Sequence, residues 1–225
     1  YAEKAADIVR AWLELDRLKT KADSQLSFSY HFPSMIFAAD LLRRTPVWTP
    51  EDEQRFAKFL REKALPMNTM NRKNNWGNWG LVLYAAIGAY LEDDEMLDTA
   101  EERWRSFIDS QIAKDGHLPK EVGRNGGRSG IWYSHFSLFP QTIAAEILKV
   151  QGRDLYGYIG RRGVGLEAAY RRIAPWVNNP ESFPYYSGDI KKMHGVERAS
   201  YFELLYPRWP DPAAAEALRE LRHLT

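Results

Sequence analysis

The chain has 225 residues, 31 Lys+Arg against 30 Asp+Glu, a net charge of +1 and 44% hydrophobic residues. That balance excludes a disordered chain and argues against nucleic acid as a partner, since a nucleic-acid binder carries a basic excess. No apolar run approaches the ~20 residues of a membrane span, and the lack of cysteine excludes disulfide scaffolds, thiolate zinc sites and thiol nucleophiles.

In chain order, the pattern is helical throughout. The opening residues, from Tyr1 to Arg10, hold no apolar core of a signal peptide and lie on an amphipathic helix, which predicts that the numbering begins inside a domain. Ala5, Ile8, Val9, Trp12, Leu15 and Leu18 predict a first helix over 2–19. A second is expected at about 33–44, through Met35, Ile36, Ala39 and Leu42. Thr49-Pro50-Glu51-Asp52 is a helix start, with a cap, a proline and acids in the first turn. Residues 77–91 are apolar all round, which predicts a buried helix. Further helices are expected at about 93–113, 134–151 (closed by Gly152), 163–177, 196–206 and 212–223. No alternating run bounded by a turn signal marks a strand. The fold class is therefore all-α, built of antiparallel helical hairpins as a bundle, a solenoid or an α/α toroid. Two long connections interrupt the rhythm, 114–133 and 178–195, the second holding Tyr185, Tyr186 and His194. Long polar loops in compact helical domains are usually functional.

Three segments can carry chemistry. Asn74-Asn75-Trp76-Gly77-Asn78-Trp79 stands at the mouth of the most buried helix, where backbone N–H groups favour an anion; the plainer alternative is a capping asparagine and two core tryptophans. The stretch from Gly116 to Arg128 places Arg124 and Arg128 in a glycine-rich loop able to grip a carboxylate, or it is simply a solvated loop. Tyr133 and His135, nine and eleven residues after Arg124, can each move a proton, and a cation beside a phenol favours the phenolate; an aromatic cluster at a helix start can equally be packing. The 8 Trp, 12 Tyr and 10 Phe lean towards sugar binding, because flat rings suit the C–H faces of pyranoses.

Taken in order, Asn74-Asn75 with Trp79, then Asp115-Gly116-x-Leu118-Pro119-x-Glu121 with Arg124, then Tyr133 with Leu138, Pro140 and Ala145-Glu146, resemble the alginate lyase superfamily over about residues 70–160. Tyr201-Phe202-Glu203 and Tyr206-Pro207-Arg208-Trp209-Pro210 resemble the late helix of that family. The resemblance implies an α/α toroid and a polysaccharide lyase that cleaves an acidic, uronate-containing polymer of the alginate or glucuronan type by β-elimination. It implies catalytic roles for Asn75 and Arg124, which neutralise the C5 carboxylate, and for Tyr133, which transfers protons. It also implies a periplasmic or secreted location.

Three departures from the family pattern stand out. Many members carry histidine where this chain has Trp76, which leaves Tyr133 as both base and acid, with His31 or His135 orienting. Extra glycine before Tyr133 makes Arg128 an alternative to Arg124. Family toroids are usually longer, so residues 1–225 are expected to be one lyase-like domain without the early helices, an incomplete toroid. The substrate-binding residues expected beside the catalytic three are His31, Trp76, Trp79, Arg128 and His135.

No cofactor is called for. His31, His117, His135, His194 and His223 show no paired ligand spacing for a metal, and no Gly-Lys-Ser/Thr phosphate loop precedes a helix. Two other functions compete. A glycoside hydrolase on a helical toroid needs two flanking carboxylates, and Glu121, Asp93, Asp94 and Asp189 form no persuasive pair; a non-catalytic sugar-binding helical domain would use the tryptophans alone. The expected partner is an acidic polysaccharide, with neither nucleic acid nor membrane.

Overall fold

The computed structural model describes residues 1–21, 23–189 and 196–224, and these are helical without a strand. Helices α1 (Ala2–Leu13), α2 (Ser24–His31), α3 (Pro33–Leu42) and α4 (Pro50–Phe59) precede the long helices α5 (Asn75–Leu91) and α6 (Asp94–Gln111). After the short α7 (Pro119–Val122) come α8 (Gly130–Val150), α9 (Leu166–Asn178), α10 (Phe202–Leu205) and α11 (Pro212–Leu224).

Contacts at matching ends give the directions. Asn78 near the start of α5 bonds Ser137 near the start of α8, at 2.7 Å, and Ala86 and Ala89 of α5 share a groove with Ile143 and Ile147 of α8. These two helices therefore run parallel. Helix α6 returns between them in the opposite sense: Gln111 at its end meets Asn78, and the Trp104 indole donates to the Gln141 carbonyl at 2.8 Å. In the same way α4 runs back along α3, since Arg43 after α3 meets Glu53 at the start of α4 while Phe59 at its end meets Phe32. The unit is thus a repeated hairpin, with α3, α5 and α8 in one direction and α4, α6 and α9 in the other.

Local sequence explains the boundaries. Thr49 and Asp52 form a capping box, each side chain accepting from the other's backbone N–H. Gly152, at φ +81, follows α8 as the terminal glycine expected there. Helix α5 buries residues on every side and divides them between two apolar clusters, Leu81, Val82 and Ala85 in one, Leu83, Ala86 and Ile87 in the other.

Several expected boundaries move. The first helix ends at Leu13 rather than 19; Leu15 is exposed, so the apolar spacing outlasts the helix. Helix α2 was not anticipated, and it makes His31 the last residue of a helix instead of a helix start. Helix α8 begins at Gly130, four residues early, which brings Tyr133 into its first turn. The stretch from 196 to 206 is a 3-10 helix, Val196–Tyr201, followed by α10. His194 lies outside the described residues.

Candidate active site

A cleft of about 670 Å³ opens at the end where α5 and α8 begin. Both helices point their N-termini, and hence the positive ends of their dipoles, towards it. Asn75, Trp76, Trp79, Arg124 and Tyr133 all line it, as does His31. Residues from three separate stretches, 58 positions apart at the extremes of Asn75 and Tyr133, thus meet on one concave surface.

Asn75 opens α5 and is almost wholly buried. It owes its place to close packing of the preceding loop: a Cβ on Gly77 would stand 1.7 Å from the Arg72 carbonyl oxygen, so only glycine lets the chain fold back over this first turn. The Asn75 amide nitrogen lies 3.3 and 3.2 Å from the two carboxylate oxygens of Glu121, itself 1% exposed. Shared between both oxygens, one N–H orients the amide and leaves the other for a ligand. Burial raises the Glu121 pKa above the ordinary carboxylate value; the Asn75 hydrogen bond and the Arg124 charge oppose that rise. Asn74 precedes the helix in extended conformation but makes no side-chain cap, so the capping role weighed for it is not realised.

Arg124 follows α7 and places its guanidinium 4.0 Å from the centre of the Tyr133 ring. The turn between them needs three left-handed residues, Asn125, Gly126 and Gly127, and Gly127 packs its Cα face against the Tyr185 carbonyl. This reversal sends Arg128 outward. Arg128 is exposed and is not part of the cleft wall, so the arginine at the site is Arg124 and the expectation for Arg128 is corrected.

Other sequence expectations divide. Trp76 is half-buried at the rim, with the Arg72 guanidinium 4.1 Å from its ring. Trp79 contributes to the wall, yet its faces are taken by Tyr30, Phe136 and Phe139, at 5.4–5.6 Å, leaving no open face for a sugar. His31 is exposed beside Tyr30. His135 borders the cleft but is 0% exposed, and its Nδ1 lies 3.0 Å from the Tyr201 hydroxyl. Sealed behind the surface, it is a wall residue rather than the direct substrate contact expected from its position. Burial, and then the charge of Arg198, push its pKa down to about 3.

Sequence reasoning passed over Trp132 and Arg198, both of which line the cleft. Trp132 could have been noticed beside Tyr133; Arg198, 66 positions after Trp132, carries no local signal. Among the described residues, Asp23 is the only carboxylate in the cleft wall. Of the others weighed for hydrolysis, Asp93 caps α6 and Asp94 pairs with Arg153, both away from the cleft.

Comparison with known proteins now decides the family. The profile described as alginate lyase matches residues 1–183. The chain belongs to the alginate lyase family. A polysaccharide lyase of Stenotrophomonas maltophilia is 26% identical over 150 residues, 67% of this chain and 43% of that relative. Among solved structures, the alginate lyase A1-III of Sphingomonas species A1 superposes with a TM-score of 0.80 at 20% identity, covering 95% of this chain and 64% of its own. An alginate lyase of Bacteroides ovatus gives 0.68 at 22% identity, covering 85% and 52%. The fold is accordingly the α/α toroid of this family, and the chain spans about half to two-thirds of the length of these relatives. No helix among the described residues is long and apolar enough to cross a membrane.

Proposed function

We propose that this domain cleaves an acidic polyuronate by β-elimination, with Tyr133 as the proton carrier and Asn75 and Arg124 on the carboxylate of the sugar being attacked. One observation carries the reading: the Arg124 guanidinium over the Tyr133 ring, in a cleft reached by two helix N-termini and by the Asn75 amide.

The chemistry follows from charge. The C5 proton of a uronate is a weak acid while the adjacent carboxylate keeps its charge. Amide and guanidinium donors placed on that carboxylate stabilise the enolate-like species that forms when the proton leaves. The Tyr133 phenolate takes the C5 proton; the C–H pair becomes the C4–C5 double bond as the C4–O4 bond breaks; and the phenol returns its proton to the departing O4. The phenolate is regenerated and atoms balance. Glu121 serves as a positioning residue, holding the Asn75 amide in one orientation. The cleft wall holds no carboxylate pair, which favours elimination over hydrolysis. Such a polymer is met outside the cytoplasm, and a periplasmic or secreted location fits this reading.

A panel of alginate, polyglucuronate, polygalacturonate and hyaluronan, followed by the ultraviolet absorbance of the conjugated double bond, tests it. Unsaturated ends from at least one polyuronate are expected. Saturated reducing ends without that absorbance would make the domain a hydrolase, and no new ends with any polymer would reject catalysis.

A further inference from the structure

Two neighbouring residues of α8 each carry an arginine over an aromatic ring. Arg124 lies over Tyr133 at 4.0 Å and Arg198 over Trp132 at 5.0 Å, while the two rings meet edge to face with centres 4.7 Å apart. Added end to end, these distances keep the guanidinium carbons within about 14 Å of each other on the wall of one cleft. Elimination at one sugar employs only Arg124.

Arg198 has no ion-pair partner among the described residues. Its Nε is buried without a hydrogen-bond partner. The titratable group beside it, His135, is held neutral: its ring is fully buried, and Tyr201 is its hydrogen-bond partner at Nδ1. Nothing described on α8 therefore offsets the guanidinium charge, and the indole face offsets it only in part. A half-buried cation without a counter-charge is costly unless an anion completes it.

We propose that Arg198 binds the carboxylate of the uronate next to the one being cleaved, which makes the site selective for polymers whose successive residues are all uronates. The planar fork of arginine suits a carboxylate bidentately, and a neutral sugar at that place would leave the fork desolvated and unmatched. The inference rests on the lyase reading above and adds a requirement for acid groups on adjacent sugars.

The test uses the whole chain and two substrates, a homopolyuronate and the same polymer with a fraction of its carboxylates reduced to primary alcohols. Arg198→Gln should raise KM on the homopolymer about 10- to 100-fold, the loss of one charge-assisted contact, with kcat changed less than about threefold. Arg198→Lys should recover part of that loss. Wild-type kcat/KM should fall on the reduced polymer, and Arg198→Gln should be nearly blind to the reduction. A KM within twofold of wild type, or a loss confined to kcat, overturns the proposal while the lyase reading stands. If the wild type yields no unsaturated product, the lyase reading fails by itself. Titration calorimetry with the homopolyuronate then decides on Arg198: affinity lost in Arg198→Gln supports the anion site, and unchanged affinity rejects it.

Discussion

Arginine is used in opposite ways at the two ends of α5. At its C-terminal end Arg43 bonds Glu53 and donates to the Tyr90 carbonyl at 2.7 Å, and Glu53 also accepts from the Tyr90 hydroxyl at 2.8 Å and the Trp48 indole at 3.0 Å. Burial works against the Glu53 charge, but these three donors hold its pKa below the ordinary value; the Glu53 hydrogen bond, in turn, raises that of Arg43. At the N-terminal end Arg124 and Arg198 rest on aromatic faces, with no carboxylate partner among the described residues. The same side chain closes a network in one place and leaves its charge open in the other. Where the charge is matched internally the residue serves stability; where a ring replaces the carboxylate, the charge remains available to an acidic ligand.

Paired substitutions can break this contrast. The largest expected effect is on turnover. Tyr133→Phe should lose at least the ~10²–10⁴-fold that positioned acid–base groups provide, with little change in melting temperature. Tyr90→Phe, which removes a phenol from the closed network, should leave kcat intact and cost about 1 kcal/mol. Equal losses of activity in both would erase the distinction. Next, Arg124→Ala should reduce kcat/KM by about 10²–10³, comparable to losing one donor to a developing negative charge, and should weaken polymer binding as well. Steady-state kinetics with a calorimetric binding isotherm separate the two parts.

A smaller effect is expected in folding. Glu53→Ala strands three donors, so chemical denaturation should register a loss of about 2–3 kcal/mol, or a melting point lower by about 4–10 °C in a domain of this size. The lyase rate per folded molecule should not change.

The smallest effect is a slope. His135 has a folded pKa of about 3 against ~6.5 unfolded, so the neutral ring's contribution to stability is complete above pH 6.5 and is lost as pH falls towards 3. His135→Asn should flatten the stability profile in that window by up to ~1.4 kcal/mol per pH unit. An unchanged slope in urea titrations at pH 6, 5 and 4 would show that the ring is not sealed.

What could be seen in the sequence follows the range of the interactions. Helix α5, the capping box at Thr49 and the terminal Gly152 are local patterns, and the chain obeys them. Helix α2 was hidden because Ser24, Ser27 and Ser29 fall between Leu26, Phe28 and Tyr30 in near alternation, which shows no 3.6-residue stripe. Its helical form comes from packing, with Tyr30 against Trp79 and Phe28 stacked on Phe32. At the site, Asn75, Arg124 and Tyr133 were named from motif order, and the geometry brings them together. That Glu121 orients Asn75, that Trp79 is spent on packing and that Arg198 joins Trp132 depend on contacts across tens of residues, for which no local pattern exists.

The division of α5 between two apolar clusters has a consequence for how the molecule comes apart. A helix whose opposite faces belong to different cores cannot loosen on one side alone, because its backbone ladder is common to both. Amides in the middle of α5 should therefore exchange with solvent only through opening of both cores at once, and set the slow limit of hydrogen exchange. The two halves of the hairpin array should melt in a single transition, and the cleft at one end of that helix should keep its shape until the whole domain unfolds.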